Sequence, residues 1–115
     1  MAVLKFNGIA ISGIAVSVPK NAVHNMDFIS LMPEQALKKN IKATGIVSRR
    51  IANPGDCSSD FCYQAAIRLI DAMHIDKASF DLVIFVSQTP DYRLPATAIT
   101  LQHRLGLAKS TAAFA

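Results

Sequence analysis

Five consecutive apolar residues, Leu82 to Val86, form the centre of the segment DLVIFVSQ (Asp81–Gln88). Polar residues stand on both sides of this run, and three of its five members are valine or isoleucine, which favour strands. A strand that is apolar at every position has to be covered on both faces, as central strands of α/β sheets are. The segment therefore predicts a buried strand in a sheet with helices packed against it.

Helical patterns lie on both sides of this predicted strand. Apolar residues recur every three or four positions between Ser59 and Met73, and a second helix is predicted from about Ala96 to Leu105. The alternation predicts an α/β fold with a mixed or parallel sheet and packed helices. The other predicted elements are strands at Gly8–Pro19 and Ile46–Ala52, a strand from Ser110, a short helix capped by Asp27, and a helix from Pro33 to a stop at Gly45.

The connection between the buried strand and the second helix carries two prolines, Pro90 and Pro95. Each proline fixes its own φ and restricts the residue before it, so this loop is stiffer than a simple turn requires. Asp91 and Arg93 flank Tyr92 within the loop, where they can pair with each other or face a ligand. Ligands of open α/β sheets collect beyond the carboxyl ends of strands. The loop is therefore expected to be a ligand loop or an oligomer contact.

The composition is apolar for a chain of 115 residues, with 51% hydrophobic and 17% charged residues. Either a large surface meets a partner, or part of the natural core is missing. The last residues begin a strand, whereas domain boundaries normally fall in polar linkers, so the chain is expected to be a fragment.

No apolar run approaches the roughly 18 residues of a membrane span, and the start lacks a signal-peptide hydrophobic region. A cytoplasmic location is expected, without nucleic-acid or membrane partners, since the net charge of +4 includes no long basic run.

Two cysteines and three histidines offer little for a metal or a nucleophile. Cys57 and Cys62 are four residues apart without a suitable histidine pair, so no metal site is predicted. Cys57 precedes a predicted helix, where the dipole can lower a thiol pKa, but a small residue packed beside the cap is the favoured interpretation. Cys62 lies on the apolar helix face and is predicted to be buried. The histidines, His24, His74 and His103, lie in separate elements and are expected at the surface or its boundary.

Four segments occur in one order along the chain: ATGIVSRRIA (43–52), CSSDFCYQAAIRLI (57–70), FDLVIFVSQTPDYRLPATA (80–98) and LGLAKSTAAF (105–114). Together they resemble the N-terminal part of beta-ketoacyl-acyl-carrier-protein synthase III and its relatives in the thiolase superfamily. The resemblance covers nearly all 115 residues. It implies a thiolase-like fold, with residues 1–115 forming the first, incomplete part of the N-terminal αβα half.

This resemblance also implies an activity, a decarboxylating Claisen-type condensation of an acyl-coenzyme A with malonyl-carrier protein in fatty acid biosynthesis. The coenzyme A thioester is a substrate, and no separate cofactor is expected. The family's cysteine nucleophile follows the AF strand by about half a dozen residues, and neither Cys57 nor Cys62 matches it. No catalytic residue is therefore predicted here, and the chain alone is expected to be inactive.

By the same resemblance, Thr44 corresponds to a threonine that contacts coenzyme A, and Arg49 corresponds to the recurrent arginine of the segment. Both are expected to bind the coenzyme A substrate. Gln88, Thr89, Leu94 and Pro95 fall in the loop that forms the acyl pocket and the dimer contact, so a homo-oligomer is expected. Asp91 and Arg93 are interpreted as supports for this loop. Two alternatives stay open: an acyltransferase of secondary metabolism in the same superfamily, and a non-catalytic α/β interaction module.

Overall fold

A computed structural model describes Lys5 and residues 7–115 of the chain. Within them, helices and short strands alternate, which confirms the predicted α/β class. The elements in chain order are β1 (Ala22–His24), a 3-10 helix (Asn25–Ser30), α1 (Glu34–Thr44), β2 (Ser48–Arg50), α2 (Ser58–Met73), a 3-10 turn (Lys77–Ser79), β3 (Leu82–Ile84), α3 (Thr97–Leu105) and β4 (Ala112–Phe114).

Helices α1 and α3 begin and end where local sequence signals predict. Pro33 immediately precedes α1, and Gly45 ends that helix in the left-handed region with φ of 71°. Glycine adopts this conformation without the steric penalty that a Cβ would bring, so it closes a helix readily. Gly106 likewise follows the last residue of α3.

Helix α2 starts one residue earlier than predicted. Its N-cap residue is Cys57 rather than a serine. The Asp60 carboxylate accepts a hydrogen bond of 3.0 Å from the Cys57 backbone N–H. A negative side chain in the first turn also suits the helix dipole, so Asp60 stabilises this end of the helix in two ways.

The strands form two separate pairs. β1 and β2 are antiparallel, with Val23 opposite Arg49, whereas β3 and β4 are parallel, with Val83 opposite Ala113. The strands predicted at Ile46–Ala52 and from Ser110 are thereby confirmed. β1 is a correction, because the sequence predicts no strand there. A strand of three residues is too short to show an alternating pattern and depends on the neighbour that pairs with it.

The buried core lies between α3 and the β3–β4 pair. Phe85, Ala98 and Leu101 form its centre, and Tyr63 of α2 and Ala113 of β4 pack against them. β3, α3 and β4 thus make a strand–helix–strand unit whose helix covers one face of the parallel pair.

The strand predicted at Gly8–Pro19 is wrong, since this segment pairs with no described strand. It lies along α2 instead, where the Ser17 hydroxyl donates to the Gln64 side-chain oxygen at 3.1 Å. The approach is close at Gly13, where a Cβ would lie 2.5 Å from the Met73 sulfur. A strand requires a neighbour for its backbone hydrogen bonds, and no described strand supplies one. The apolar side chains of the segment are exposed, namely Ile9, Ile11, Ile14, Val16 and Val18.

The prediction that the central strand is covered on both faces is also wrong for the described part of the chain. Phe85 enters the core, but Leu82, Ile84 and Val86 on the other side are exposed, Val86 by 89%. Phe114 of β4 is exposed as well. We call this patch (Leu82, Ile84, Val86 and Phe114) the open sheet face. No described element packs against it.

Candidate functional site

A cleft of about 440 Å³ lies between the 3-10 helix Asn25–Ser30 and α1. Thr44 and Arg49, the two residues that the resemblance assigns to coenzyme A, both line it. The structure therefore brings these two predicted residues together. The rest of the lining is Asn25, Phe28, Leu31, Met32, Leu37, Asn40, Ile41 and Ile46.

The guanidinium of Arg49 is held in place from two sides. Its Nε donates to Asn25 Oδ1 at 2.8 Å, and its Cζ lies 5.5 Å from the centroid of the Phe28 ring, within cation–π range. Asn25 is itself fixed, because its Nδ2 donates to the Ile46 carbonyl at 2.6 Å and its backbone N–H to the Val47 carbonyl at 2.8 Å. Only 6% of Asn25 is exposed, and both polar atoms of its buried amide have a hydrogen-bond partner.

The sequence does not predict the part played by Asn25. An asparagine beside a possible turn is commonplace, and no local pattern marks one whose partners lie more than twenty residues away. Its role follows from the pairing of β1 with β2, which brings the start of the 3-10 helix beside Arg49.

Thr44 closes α1 with its hydroxyl. The Oγ1 donates to the Asn40 carbonyl at 2.8 Å and accepts from the Ile46 backbone N–H at 3.3 Å. A threonine hydroxyl has one donor and two acceptor sites, so one acceptor site is left for a ligand.

The second group of predicted residues lies in the loop between β3 and α3. Ser58 Oγ, at the start of α2, donates to the Thr89 carbonyl at 3.1 Å. Asp91 Oδ1 accepts a 3.2 Å hydrogen bond from the Ser59 backbone N–H, which agrees with its expected supporting role. Leu94 is 86% exposed, and the peptide bond joining it to Pro95 is cis. The loop is thus anchored at Thr89 and Asp91 and presents Leu94 outward.

Arg104 of α3 binds residues at the N-terminal end of α2. Its Nη1 donates to Ser59 Oγ at 3.0 Å, and its Nη2 lies 2.9 Å from Asp60 Oδ1. Its Cζ also lies 4.7 Å from the centroid of the Tyr63 ring. Arg104 is not among the residues that the sequence predicts to be functional. An arginine one turn after Leu101, on the same side of α3 as that buried leucine, is the signal that could have found it.

The surroundings of both cysteines disfavour the thiolate form. Burial raises the pKa of the Cys57 thiol, and the carboxylates of Asp91 and Asp60 raise it further. Partial desolvation of the sulfur and the Asp91 carboxylate likewise raise the pKa of Cys62, although the residue as a whole is exposed. The prediction that Cys62 is buried is wrong, because it is exposed. The buried residues of α2 are Ser59 and Ile70, and Cys62 lies at the edge of the face they define.

Replacing Asp91 with asparagine is expected to lower the pKa of both thiols. The amide keeps an oxygen for the Ser59 N–H but removes the negative charge that disfavours each thiolate. Alkylation by iodoacetamide, followed for each cysteine by mass spectrometry over a pH series, should therefore reach half its maximal rate at lower pH.

Asp71→Asn is the matched control, since that carboxylate is not among the charges acting on either thiol. Its alkylation profile should coincide with that of the unmodified chain. Identical profiles for Asp91→Asn and the unmodified chain would show that Asp91 does not lie against these thiols.

The two groups of predicted residues occupy different places. Among the described residues, the lining of the cleft includes none of Gln88, Thr89, Leu94 and Pro95.

The described part of the chain also contains no cluster of three or more histidine, cysteine or acidic side chains arranged for a metal. None of its helices is long and apolar enough to cross a bilayer.

Two curated proteins match most of the chain. A beta-ketoacyl-acyl-carrier-protein synthase III from Rhodopirellula baltica is 37% identical over 99 residues, which is 86% of this chain and 28% of that protein. A putative 3-oxoacyl-acyl-carrier-protein synthase 3 from Campylobacter jejuni is 35% identical over 113 residues, 96% of this chain and 32% of that protein. The chain belongs to the beta-ketoacyl-acyl-carrier-protein synthase III family. No protein-family profile matches it.

A solved synthase agrees in three dimensions. The 3-oxoacyl-acyl-carrier-protein synthase from Burkholderia xenovorans superposes with a TM-score of 0.81 at 38% identity, over 88% of this chain and 30% of that one. The predicted thiolase-like fold of this synthase III family member is confirmed. The chain spans about a third of the length of the relatives it matches.

Proposed function

We propose that this chain is the N-terminal part of a synthase III-type acyltransferase. In such a reaction an enzyme thiolate attacks the carbonyl of an acyl-coenzyme A, and coenzyme A leaves as the thiolate, which takes up a proton from water. Malonyl-carrier protein then loses carbon dioxide, and the resulting carbanion attacks the acyl-enzyme and releases the enzyme thiolate. The observation that carries the proposal is similarity to synthase III proteins over 86–96% of the chain.

Thr44 and Arg49 are the proposed contacts to coenzyme A, which enters as a thioester substrate. Their meeting in one cleft supports this assignment. Arg49 supplies a fixed positive charge for the phosphates of coenzyme A. The Thr44 hydroxyl supplies its one remaining acceptor site for a hydrogen-bond donor of the ligand. Coenzyme A and the carrier protein would be the partners of the whole enzyme.

We propose that Leu94 reaches the acyl pocket of a second subunit. Its 86% exposure at the tip of an anchored loop supports this role, because an exposed leucine held on a rigid support suits a contact between chains. The open sheet face would be covered by further chain of the complete enzyme, whose relatives are about three times as long. Homo-oligomerisation follows as part of the same proposal.

The nucleophile of this reaction is proposed to lie outside the 115 residues. Raised thiol pKa values at Cys57 and Cys62 support that view, since the attacking species is the thiolate. The 115-residue chain alone should therefore form no acyl-enzyme.

Incubation with acetyl-coenzyme A carrying a radiolabelled acetyl group tests this proposal. No label is expected on the chain after removal of free thioester, whereas the full-length Campylobacter jejuni relative, treated in parallel, should be labelled. Label on Cys57 or Cys62, located by peptide mapping and abolished by its replacement with alanine, would overturn the assignment. Failure of the relative to accept an acetyl group would contradict the proposed reaction class.

A further inference from the structure

The cleft between the 3-10 helix Asn25–Ser30 and α1 has an amphipathic lining. Six of its ten lining residues are apolar: Phe28, Leu31, Met32, Leu37, Ile41 and Ile46. Its volume of about 440 Å³ falls within the range of roughly 300–1,000 Å³ that is usual for small-molecule sites. Among the described residues that line it, Arg49 is the one with a formal charge. No carboxylate of the lining competes for that charge.

The hydrogen bonds of Arg49 leave a defined edge for a ligand. Asn25 Oδ1 accepts the hydrogen bond from Nε. Neither terminal nitrogen of the guanidinium takes part in a hydrogen bond within the described chain. The pair of terminal nitrogens matches the two oxygens of a carboxylate. A single positive charge beside an apolar wall suits a singly charged head group on an apolar chain.

From these observations we infer that the cleft is a binding site for an alkyl carboxylate. The chain of the ligand packs against the apolar wall, Arg49 binds the carboxylate, and Asn25 is a positioning residue that fixes the guanidinium. This site shares Arg49 and the cleft with the coenzyme A contacts proposed above, so the two ligands would compete for Arg49, but binding of an alkyl carboxylate does not require those contacts.

Titration of the isotope-labelled 115-residue chain with decanoate, below its micellar concentration, tests the inference by NMR. Amide shifts are expected to concentrate in the residues that line the cleft. Decan-1-ol, which has an apolar chain of equal length and no charge, should bind at least tenfold more weakly, because a hydrogen bond to a charged group contributes about 1.5–3 kcal/mol.

Arg49→Gln should weaken decanoate binding about tenfold or more and leave decan-1-ol binding unchanged. Asn25→Asp is the second variant, since a carboxylate beside Arg49 competes with the ligand and should weaken decanoate binding in the same way. Arg50→Gln is the matched control. Arg50 is the neighbouring arginine on β2, but it donates to the Lys20 carbonyl at 2.8 Å and does not line the cleft.

Three results would overturn the inference. They are shifts that fall outside the cleft, equal affinity for decanoate and decan-1-ol, and decanoate binding that survives both Arg49→Gln and Asn25→Asp. None of these measurements involves coenzyme A or the condensation. A negative result therefore leaves the proposed function standing, and failure of the acylation experiment leaves this inference standing.

Discussion

Replacement of Leu101 by alanine is expected to lower the free energy of unfolding by about 2–5 kcal/mol. Leu101 is 4% exposed and lies with Phe85 and Ala98 at the centre of the core. Alanine would remove apolar contacts and leave a cavity that the short strands around it cannot collapse to fill. Since a whole domain is stable by about 5–15 kcal/mol, the loss is a large share of the total. Urea unfolding followed by far-UV circular dichroism measures it.

Ile99→Ala is the matched control, because Ile99 is on the same helix but 48% exposed. Its effect should stay below about 1 kcal/mol, as removal of a half-exposed side chain creates no cavity. Leu101→Ile, which keeps the volume, should cost less than about 1.5 kcal/mol. Equal losses for Leu101→Ala and Ile99→Ala would show that the core does not lie beneath α3.

Arg104→Met is expected to cost about 2 kcal/mol, the second largest effect. The substitution removes a charge-assisted hydrogen bond to Ser59, which is fully buried, together with the ion pair to Asp60 and the contact with Tyr63. The ion pair itself contributes little, because both side chains are about one-third exposed. Arg104→Lys should recover part of the loss, since it keeps the charge but not the two-pronged geometry.

A double-mutant cycle with Asp60→Asn separates the ion pair from the rest. Its coupling energy should be about 0.5–1 kcal/mol, and Arg68→Met, on an exposed part of α2, should change stability by less than about 0.5 kcal/mol.

The Cys57 backbone N–H and Arg104 hold the pKa of Asp60 below its usual range. A lowered folded-state pKa stabilises the fold above the unfolded value of about 3.9, and this contribution disappears as pH falls through the folded value. Asp60→Asn should therefore reduce the loss of stability below about pH 4.

The loop motif that carries the family resemblance has a structural explanation in most of its residues. Asp91 caps α2, Thr89 receives the Ser58 hydroxyl, and Thr97 and Ala98 are buried at the start of α3. Leu94 is the exception, because it is exposed and contributes little to the fold of this chain. A pattern recognised as functional thus consists largely of residues that position one side chain.

Local rules accounted for much of the architecture. Pro33, Gly45 and Gly106 mark the ends of α1 and α3 because their preferences depend on the backbone of the residue itself. The recurrence of apolar residues every three or four positions identified α2, and a run of five consecutive apolar residues identified β3. Where a residue's state depends on a neighbour from elsewhere in the chain, local rules failed, as at Gly8–Pro19 and Cys62.

By itself, therefore, the sequence determined the limits of α1 and α3, the α/β class and the synthase III family, since each rests on residue preferences or on ordered motifs. Only the tertiary structure decided that Asn25 fixes Arg49 and that Arg104 binds the start of α2. Those pairs are separated by 24 and 45 residues, and a hydrogen bond forms wherever folding brings donor and acceptor within about 3 Å. No periodicity or spacing in the chain encodes that distance.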